Sequence, residues 1–361
     1  MQVLFGLSYA FGQPWKIAFF VLFGFGGLMA AAVALYLFHS LHRKTLLALY
    51  LCTLGMCVIC SVCPEEAPKQ VFAVFLGVGL FFLIRLAFRG QKWRKMVGYG
   101  FLFGGMWLLW VTLLIGTEVN GAKSWLSLGS YAFQPSEIAK LSLLFAGSIA
   151  VEKGKGAFFF LYGIACCAFL GLMGDFGTAL IYFAVFCTLL FLASRPLGVA
   201  SLLGGGIAGI GVSQLVPRIK GRFAAWRHIW EDPIGSGYQQ TRALSALASG
   251  GLLGLGANRG QLPKIFSAAS DLATATLGEQ WGLFSVTAAV AAILSIADTK
   301  KKNACAIGAA VLLLTQTALN FFGMVDILPF TGVTFPFLSN GGSAMVCAWG
   351  LLEFLEAEDE N

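Results

Sequence analysis

Apolar runs long enough to enter a bilayer recur along almost the whole of this 361-residue chain, and no other feature constrains its fold as tightly. A membrane-spanning helix needs about 20 such residues, within a range of about 17–25. Eleven stretches meet or approach that length: 17–39, 45–63, 71–88, 97–116, 137–151, 157–173, 175–193, 197–216, 281–297, 304–322 and 341–357. Only 11% of residues are charged, against roughly 25% in a soluble domain. That deficit excludes a soluble enzyme, a disordered chain and a nucleic-acid binder with a solvated basic face. The 45 glycines suit helices that approach closely in lipid, where small residues mark the interfaces. The expected fold is an all-α polytopic membrane protein, a bundle of 10–11 transmembrane helices. Residues 1–16 lack the basic stretch of a cleavable signal, so 17–39 reads as a retained span.

Basic residues in short loops set the orientation. Arg43-Lys44, the run Arg89, Lys92, Arg94, Lys95, the pair Lys153 and Lys155, Arg195, and Lys300-Lys301-Lys302 all fall in alternate loops of an eleven-span arrangement. That side is expected to be cytoplasmic, with an acidic tail at 353–361, and the N-terminus outside. The opposite side receives Glu65-Glu66, the 117–136 loop, Gly174-Asp175, the 323–340 loop and a large loop at 217–280, between the eighth and ninth expected spans. This large loop is too polar to span, and its semi-apolar parts read as re-entrant or interfacial helices, since bare backbone is not tolerated in lipid. It carries seven basic and four acidic residues.

Five polar constellations stand out on that face. The first runs from Gly121-Ala122-Lys123-Ser124-Trp125 through Gln134-Pro135-Ser136-Glu137 to Lys140. Glu137 and Lys140 are three apart, share a helix face and can pair, either as a structural ion pair or beside a cavity. The second is Gly174-Asp175-Phe176-Gly177-Thr178, where Asp175 could simply cap a helix. The third holds Arg222, Trp226 and Gly237-Tyr238-Gln239-Gln240, followed by glycine turns suited to phosphate through charge-assisted bonds. The fourth is Ser270-Asp271 with Glu279-Gln280 beyond; Asp271 fits a helix cap and a general base equally well. The fifth, Pro329 to Ser343, has two prolines and several glycines within an apolar stretch and reads as a broken re-entrant loop. Cys57, Cys60 and Cys63 stripe one helix face as small apolar residues do, and the three histidines form no cluster.

These blocks, in this order, resemble the SEDS family, the group that includes RodA, FtsW and SpoVE. The resemblance rests on GAKSWLSLGSYAFQPSEIAKL, DFGTA, the GYQ to ASGGLLGLG region, SD with GEQWG, and LPFTGVTFPFLSNGGS. It covers residues 97–352, with 1–96 contributing N-terminal spans that include one extra helix at 17–39. It implies a peptidoglycan glycosyltransferase of the bacterial cytoplasmic membrane. Such an enzyme polymerises lipid II, a disaccharide peptide on undecaprenyl diphosphate, at the extracytoplasmic face, together with a class B penicillin-binding protein. The matching positions make Asp271 the catalytic residue. Trp125, Gln134, Ser136, Glu137, Lys140, Asp175, Thr178, Arg222, Gln239 and Ser343 are the substrate-binding candidates. No metal ligand set is visible, although a divalent cation such as Mg or Mn could assist the diphosphate. The chain departs from the family pattern at Gly174, where proline is common, at Gln280, where glutamate is common, and at Asn340, where tyrosine is usual. A lipid-linked precursor flippase and a non-catalytic scaffold for a penicillin-binding protein are the alternative readings.

Overall fold

Each of the eleven apolar stretches forms a helix in the computed structural model, which describes residues 15–88, 90–119, 121–129, 131–300 and 303–356. Arg89, Lys301 and Lys302 from the basic loops, and 357–361 of the acidic tail, lie outside the described residues, as does most of the stretch before the first span. The helices are α1 (Trp15–Leu37), α2 (Arg43–Val62), α3 (Ala67–Phe88), α4 (Gln91–Ile115), α5 (Pro135–Lys153), α6 (Gly156–Leu172), α7 (Phe176–Ala193), α8 (Arg195–Leu215), α9 (Pro217–Ala225), α10 (Tyr238–Gly250), α11 (Ala273–Ala297), α12 (Ala304–Met324) and α13 (Gly342–Glu356). Among the described residues, eight helices are long and apolar enough to cross a membrane. The three that are not, α5, α6 and α13, are 19, 17 and 15 residues long. Helix α5 also carries Glu137, Lys140, Glu152 and Lys153. The protein is a multi-pass membrane protein.

Local chemistry fixes the helix ends. Thr45 Oγ1 accepts the His42 N–H at 2.8 Å and starts α2. Pro135 opens α5, where its missing donor costs nothing, and Gly154, at φ +63°, closes that helix in the left-handed region. Asp175 caps α7 by accepting the Thr178 N–H at 3.2 Å. Between α4 and α5 lies a small antiparallel sheet that the apolar pattern does not announce: β1 (Thr117–Val119), β2 (Ala122–Leu128) and β3 (Tyr131–Phe133). Thr117 pairs with Trp125 and Leu126 with Phe133. The Lys123 N–H donates to the Met173 carbonyl at 2.8 Å, fastening the sheet to the α6–α7 turn.

The described residues fall into two compact units. One comprises Met1–Gly79, Gly221–Ile296 and Gln316–Trp349, and the other Leu80–Lys220, Ala297–Thr315 and Gly350–Asn361. In the second unit α4 packs along α5, and α7 packs against α5, α6 and α8. Helix α8 buries only Gly198, Ser201 and Ser213. The remainder of its surface presents residues such as Leu203, Ile207 and Ile210 outward, as a lipid-facing helix should.

In the first unit the large loop folds back on itself. Helix α11 begins eight residues before the expected span at 281 and breaks at Gly282 (φ +81°, ψ 169°), a conformation essentially reserved for glycine. The break leaves backbone groups of α11 without helical partners, and the preceding loop takes them up. The Leu255 N–H donates to the Glu279 carbonyl, Gly256 N–H to the Gln280 carbonyl, and Leu283 N–H to the Gly251 carbonyl, at 2.9, 3.0 and 2.9 Å. The Glu279 carboxylate adds two bonds, from the N–H groups of Gln261 (2.8 Å) and Leu262 (3.0 Å). A methyl at Gly282 would collide with the Leu252 carbonyl. Gly282→Ala is expected to destabilise the protein by about 1–3 kcal/mol, read as a lower melting temperature in detergent, whereas Gly100→Ala, which meets only open space on α4, is expected to leave it unchanged.

Candidate active site

The first unit gathers its polar side chains around Asp271, two residues before α11. The sequence left a cap and a free carboxylate equally open, and the structure separates them. Helix α11 starts at Ala273, and among the described residues no helix N–H donates to the Asp271 carboxylate. Instead the backbone around Asp271 is held from the outside. Asn320 Nδ2, near the C-terminal end of α12, donates to the carbonyls of both Asp271 (2.9 Å) and Val333 (2.7 Å). Ser339 Oγ donates to the Ser270 carbonyl at 2.6 Å and accepts the Phe335 N–H at 2.9 Å. The Asn340 N–H donates to the Ala269 carbonyl at 2.8 Å. The proline- and glycine-rich loop at 325–341 and the segment at 267–272 are thereby one bonded assembly.

Two of the expected binding residues join it. Arg222, in α9, donates through Nη1 to the Thr331 carbonyl at 3.0 Å. The next residue, Gly332 (φ +70°), lies so close to Asp271 that a methyl there would sit 3.2 Å from Oδ2. Gln239, in the first turn of α10, donates to Ser267 Oγ at 3.3 Å and braces the turn that leads to Asp271. Ser343 is half-buried in the first turn of α13.

The remaining candidates lie in the second unit. Lys140 Nζ pairs with Glu137 Oε1 at 2.6 Å, with both side chains almost fully buried. A buried pair of this kind holds its helix firmly, because removing one partner strands the other charge at a cost of about 3–5 kcal/mol. Tyr182, in α7, donates to the Ser136 carbonyl at 2.7 Å, while Ser136 Oγ is buried and bonds to nothing among the described residues. Gln134 Nε2 donates to Asp175 Oδ2 at 2.8 Å, so Asp175 serves as a cap for Thr178 and as an anchor for the start of α5 at once. Trp125 is half-buried on β2. Gly174 adopts φ +75°, which a proline ring cannot reach; glycine at this place in the chain is therefore the residue its turn requires.

Electrostatics single out Asp271. Burial raises its carboxyl pKa to about 7, while a hydrogen bond from Ser270 and the Arg222 guanidinium pull the other way without cancelling it. The residue nonetheless keeps some exposed surface. Asp271 is thus surrounded mainly by protein and still reachable. Among the described residues no group of three or more histidine, cysteine, aspartate or glutamate side chains could hold a metal ion, so the residues present do not fit a cage built by the protein. Cys57 and Cys60 are buried and unpaired on α2.

Three supporting residues escaped the sequence reading of the site: Asn320, Gly332 and Ser339. The signal for the first was present. Gln316 and Asn320 are four apart within the otherwise apolar α12, on one face, and Gln316 Nε2 donates to the Thr334 carbonyl at 3.1 Å just as Asn320 does to Val333.

Comparison with known proteins places this geometry in context. Residues 45–360 match the FtsW/RodA/SpoVE family, described as "Cell cycle protein". The chain is 31% identical over 308 residues to the probable peptidoglycan glycosyltransferase FtsW of Shewanella sediminis, covering 78% of this chain and 75% of that one. It is 30% identical over 317 residues to stage V sporulation protein E of Bacillus subtilis, covering 79% and 85%. Its fold matches a chain of a peptidoglycan synthase complex solved to explain the coordination of polymerization and crosslinking, with a TM-score of 0.71 at 24% identity over 86% of this chain and 95% of that one.

The raised carboxyl makes a stability prediction with a definite sign. Between about pH 4 and pH 7 the folded protein holds a proton on Asp271 that the unfolded chain releases, so its stability should fall as pH rises through that window. Asp271→Asn removes this term and is expected to stabilise the protein at pH 8, by no more than about 4 kcal/mol, but not at pH 4, read as a melting temperature raised only at the higher pH. Thermal denaturation of both proteins in detergent at the two pH values is the check.

Proposed function

The chain belongs to the FtsW/RodA/SpoVE family of cell cycle proteins, and from that premise we propose that it is a peptidoglycan glycosyltransferase with Asp271 as its general base. The substrate in this reading is lipid II, and the product is β-1,4-linked glycan. The observation that carries the assignment of Asp271 is a reachable carboxyl of raised pKa, in a loop whose backbone carbonyls are fixed by Asn320 and Ser339. A base near neutral pKa is the most effective one for deprotonating a sugar hydroxyl at neutral pH.

The step balances simply. The acceptor hydroxyl attacks the anomeric carbon of the donor, and its proton passes to the Asp271 carboxylate as the new C–O bond forms. The bond from that carbon to the diphosphate oxygen breaks, and the electron pair leaves with the diphosphate. Arg222 is a cation whose charge reaches the base, held by its bond to Thr331, and that charge favours the departing diphosphate. No step is assigned to a metal ion. Glu137 and Lys140 fix α5 by their mutual bond. Trp125, Gln134, Ser136, Asp175 and Thr178 in the second unit, and Gln239 and Ser343 in the first, are the further residues this reading assigns to substrate binding. The reading places the reaction at the extracytoplasmic face of the bacterial cytoplasmic membrane, beside a class B penicillin-binding protein that cross-links the product.

Polymerisation of purified lipid II by the full chain with its penicillin-binding partner is the test. Asp271→Ala is expected to lower the rate by about 10²–10⁴-fold, and the wild-type rate should rise with pH through about 7 as the base ionises. Glycan formed at the wild-type rate by a folded Asp271→Ala protein would remove Asp271 from this role. No glycan from either protein would favour the scaffold reading.

A further inference from the structure

The second unit contains a cavity of about 550 Å³ in which the proposed reaction has no part. Its size lies within the range of about 300–1,000 Å³ typical of small-ligand sites. It opens among helix ends: the C-terminal turns of α3, α5 and α13, and the N-terminal turns of α4 and α12. These are the ends that adjoin the basic loops, so the cavity sits where hydrocarbon gives way to headgroups.

Its floor is aromatic. Phe88, Phe145 and Phe354 touch one another, with ring centroids 5.5–6.1 Å apart. Gly98 keeps the space above Phe145 open, since a methyl there would already sit 3.4 Å from the ring. The lining carries both signs of charge: Lys95 and Lys153, and Glu152 and Glu353. Lys95, Lys153 and Glu152 are exposed, whereas Glu353 is buried. Lys153 Nζ donates to the Tyr99 hydroxyl at 2.9 Å and lies 5.5 Å from that ring's centre, which holds the ammonium over the mouth. Beside Lys95, Trp93 and Met96 are 60% and 54% exposed, the arrangement of an aromatic and an apolar anchor at a lipid interface. A molecule reaching this mouth through the membrane would meet the apolar anchors first.

We propose that this cavity binds the headgroup of an aminophospholipid, with phosphate on Lys95 and Lys153, primary ammonium on Glu152, and the first methylenes of an acyl chain on the phenylalanine floor. The balance of charge selects the class. A purely anionic headgroup would satisfy the two lysines and leave its neighbouring acids repelling it, whereas a zwitterion satisfies both signs. The volume admits a headgroup and the start of a chain, and leaves the rest of the lipid in the bilayer.

Native mass spectrometry of the full chain, purified in detergent with equal amounts of phosphatidylethanolamine and phosphatidylglycerol, tests this directly. The wild type is expected to retain one phosphatidylethanolamine in preference to phosphatidylglycerol. Lys95→Ala/Lys153→Ala should weaken retention about tenfold, equivalent to about 1.4 kcal/mol. Glu152→Gln should keep lipid but lose the preference between the two. Ser148→Trp, which fills the cavity without changing charge, should reproduce the loss, and the melting temperature of each variant confirms that it is folded. Equal retention of both lipids by the wild type, or undiminished retention by the folded double variant, would overturn the proposal. Displacement of the lipid by an equal concentration of soluble O-phosphoethanolamine would transfer the site to a water-soluble phosphoamine and overturn the lipid source.

Discussion

Inside a bilayer there is no water to complete a broken hydrogen bond, so every backbone group that leaves a helix must find its partner within the protein. The first unit is organised by that requirement. Helix α11 is interrupted at Gly282, and the carbonyls of Glu279 and Gln280 are taken by Leu255 and Gly256. The loop at 325–341 crosses without regular structure and is bonded at Val333 and Thr334 by Asn320 and Gln316, and at Phe335 by Ser339. The close approach this demands is visible at Gly55 of α2, where any side chain would collide with the Leu338 carbonyl. Irregular backbone at depth is thus a rigid platform, and Asp271 stands on it.

That platform surrounds one carboxyl with protein, and burial there raises its pKa. A fully paired carboxylate would ionise easily and hold its proton too weakly to act as a base near neutrality. Arg222 donates to the Thr331 carbonyl, and its charge lowers the cost of burying the carboxyl without cancelling it. Burial therefore dominates, and the group is poised between its two protonation states. The contrast within the same chain is Glu279, whose oxygens are both consumed by backbone N–H groups. The two acids are eight residues apart: Glu279, inside α11, takes a backbone N–H on each oxygen, whereas Asp271 lies just ahead of that helix and accepts from the Ser270 side chain.

The second unit uses charge differently. Glu137 and Lys140 satisfy each other in the interior of α5, which makes them expensive to separate and places them on the structural side of the boundary between scaffold and site. At the opposite end of the same helix, Glu152 and Lys153 are exposed at the mouth of a phenylalanine-floored cavity. One helix thus carries an internal ion pair near its start and a solvent-facing pair at its end.

Apolar patterning was enough to place a helix at each of the eleven stretches, eight of them long and apolar enough to span among the described residues, because that condition is local: a stretch either has its apolar residues or lacks them. The cap at Asp175 was also legible, as an acid followed by small residues at the head of an apolar run. What the sequence could not reveal depends on contacts between distant segments. The sheet at 117–133 is stabilised by pairing that no alternation of only three to seven residues announces. The start of α11 at Ala273 depends on the loop that shelters its first turns. Gln316 and Asn320 read only as two polar residues on one face of a span; which carbonyls they hold, those of Thr334, Asp271 and Val333, is set by the fold. Gly174 looks like a lapse from a familiar proline until its φ of +75° is seen. The sequence by itself determined which segments enter the membrane and which residue types the outer loops carry; the tertiary structure alone decided which carboxylate is sated with hydrogen bonds and which is left to titrate, since desolvation is a property of surroundings and not of the residue.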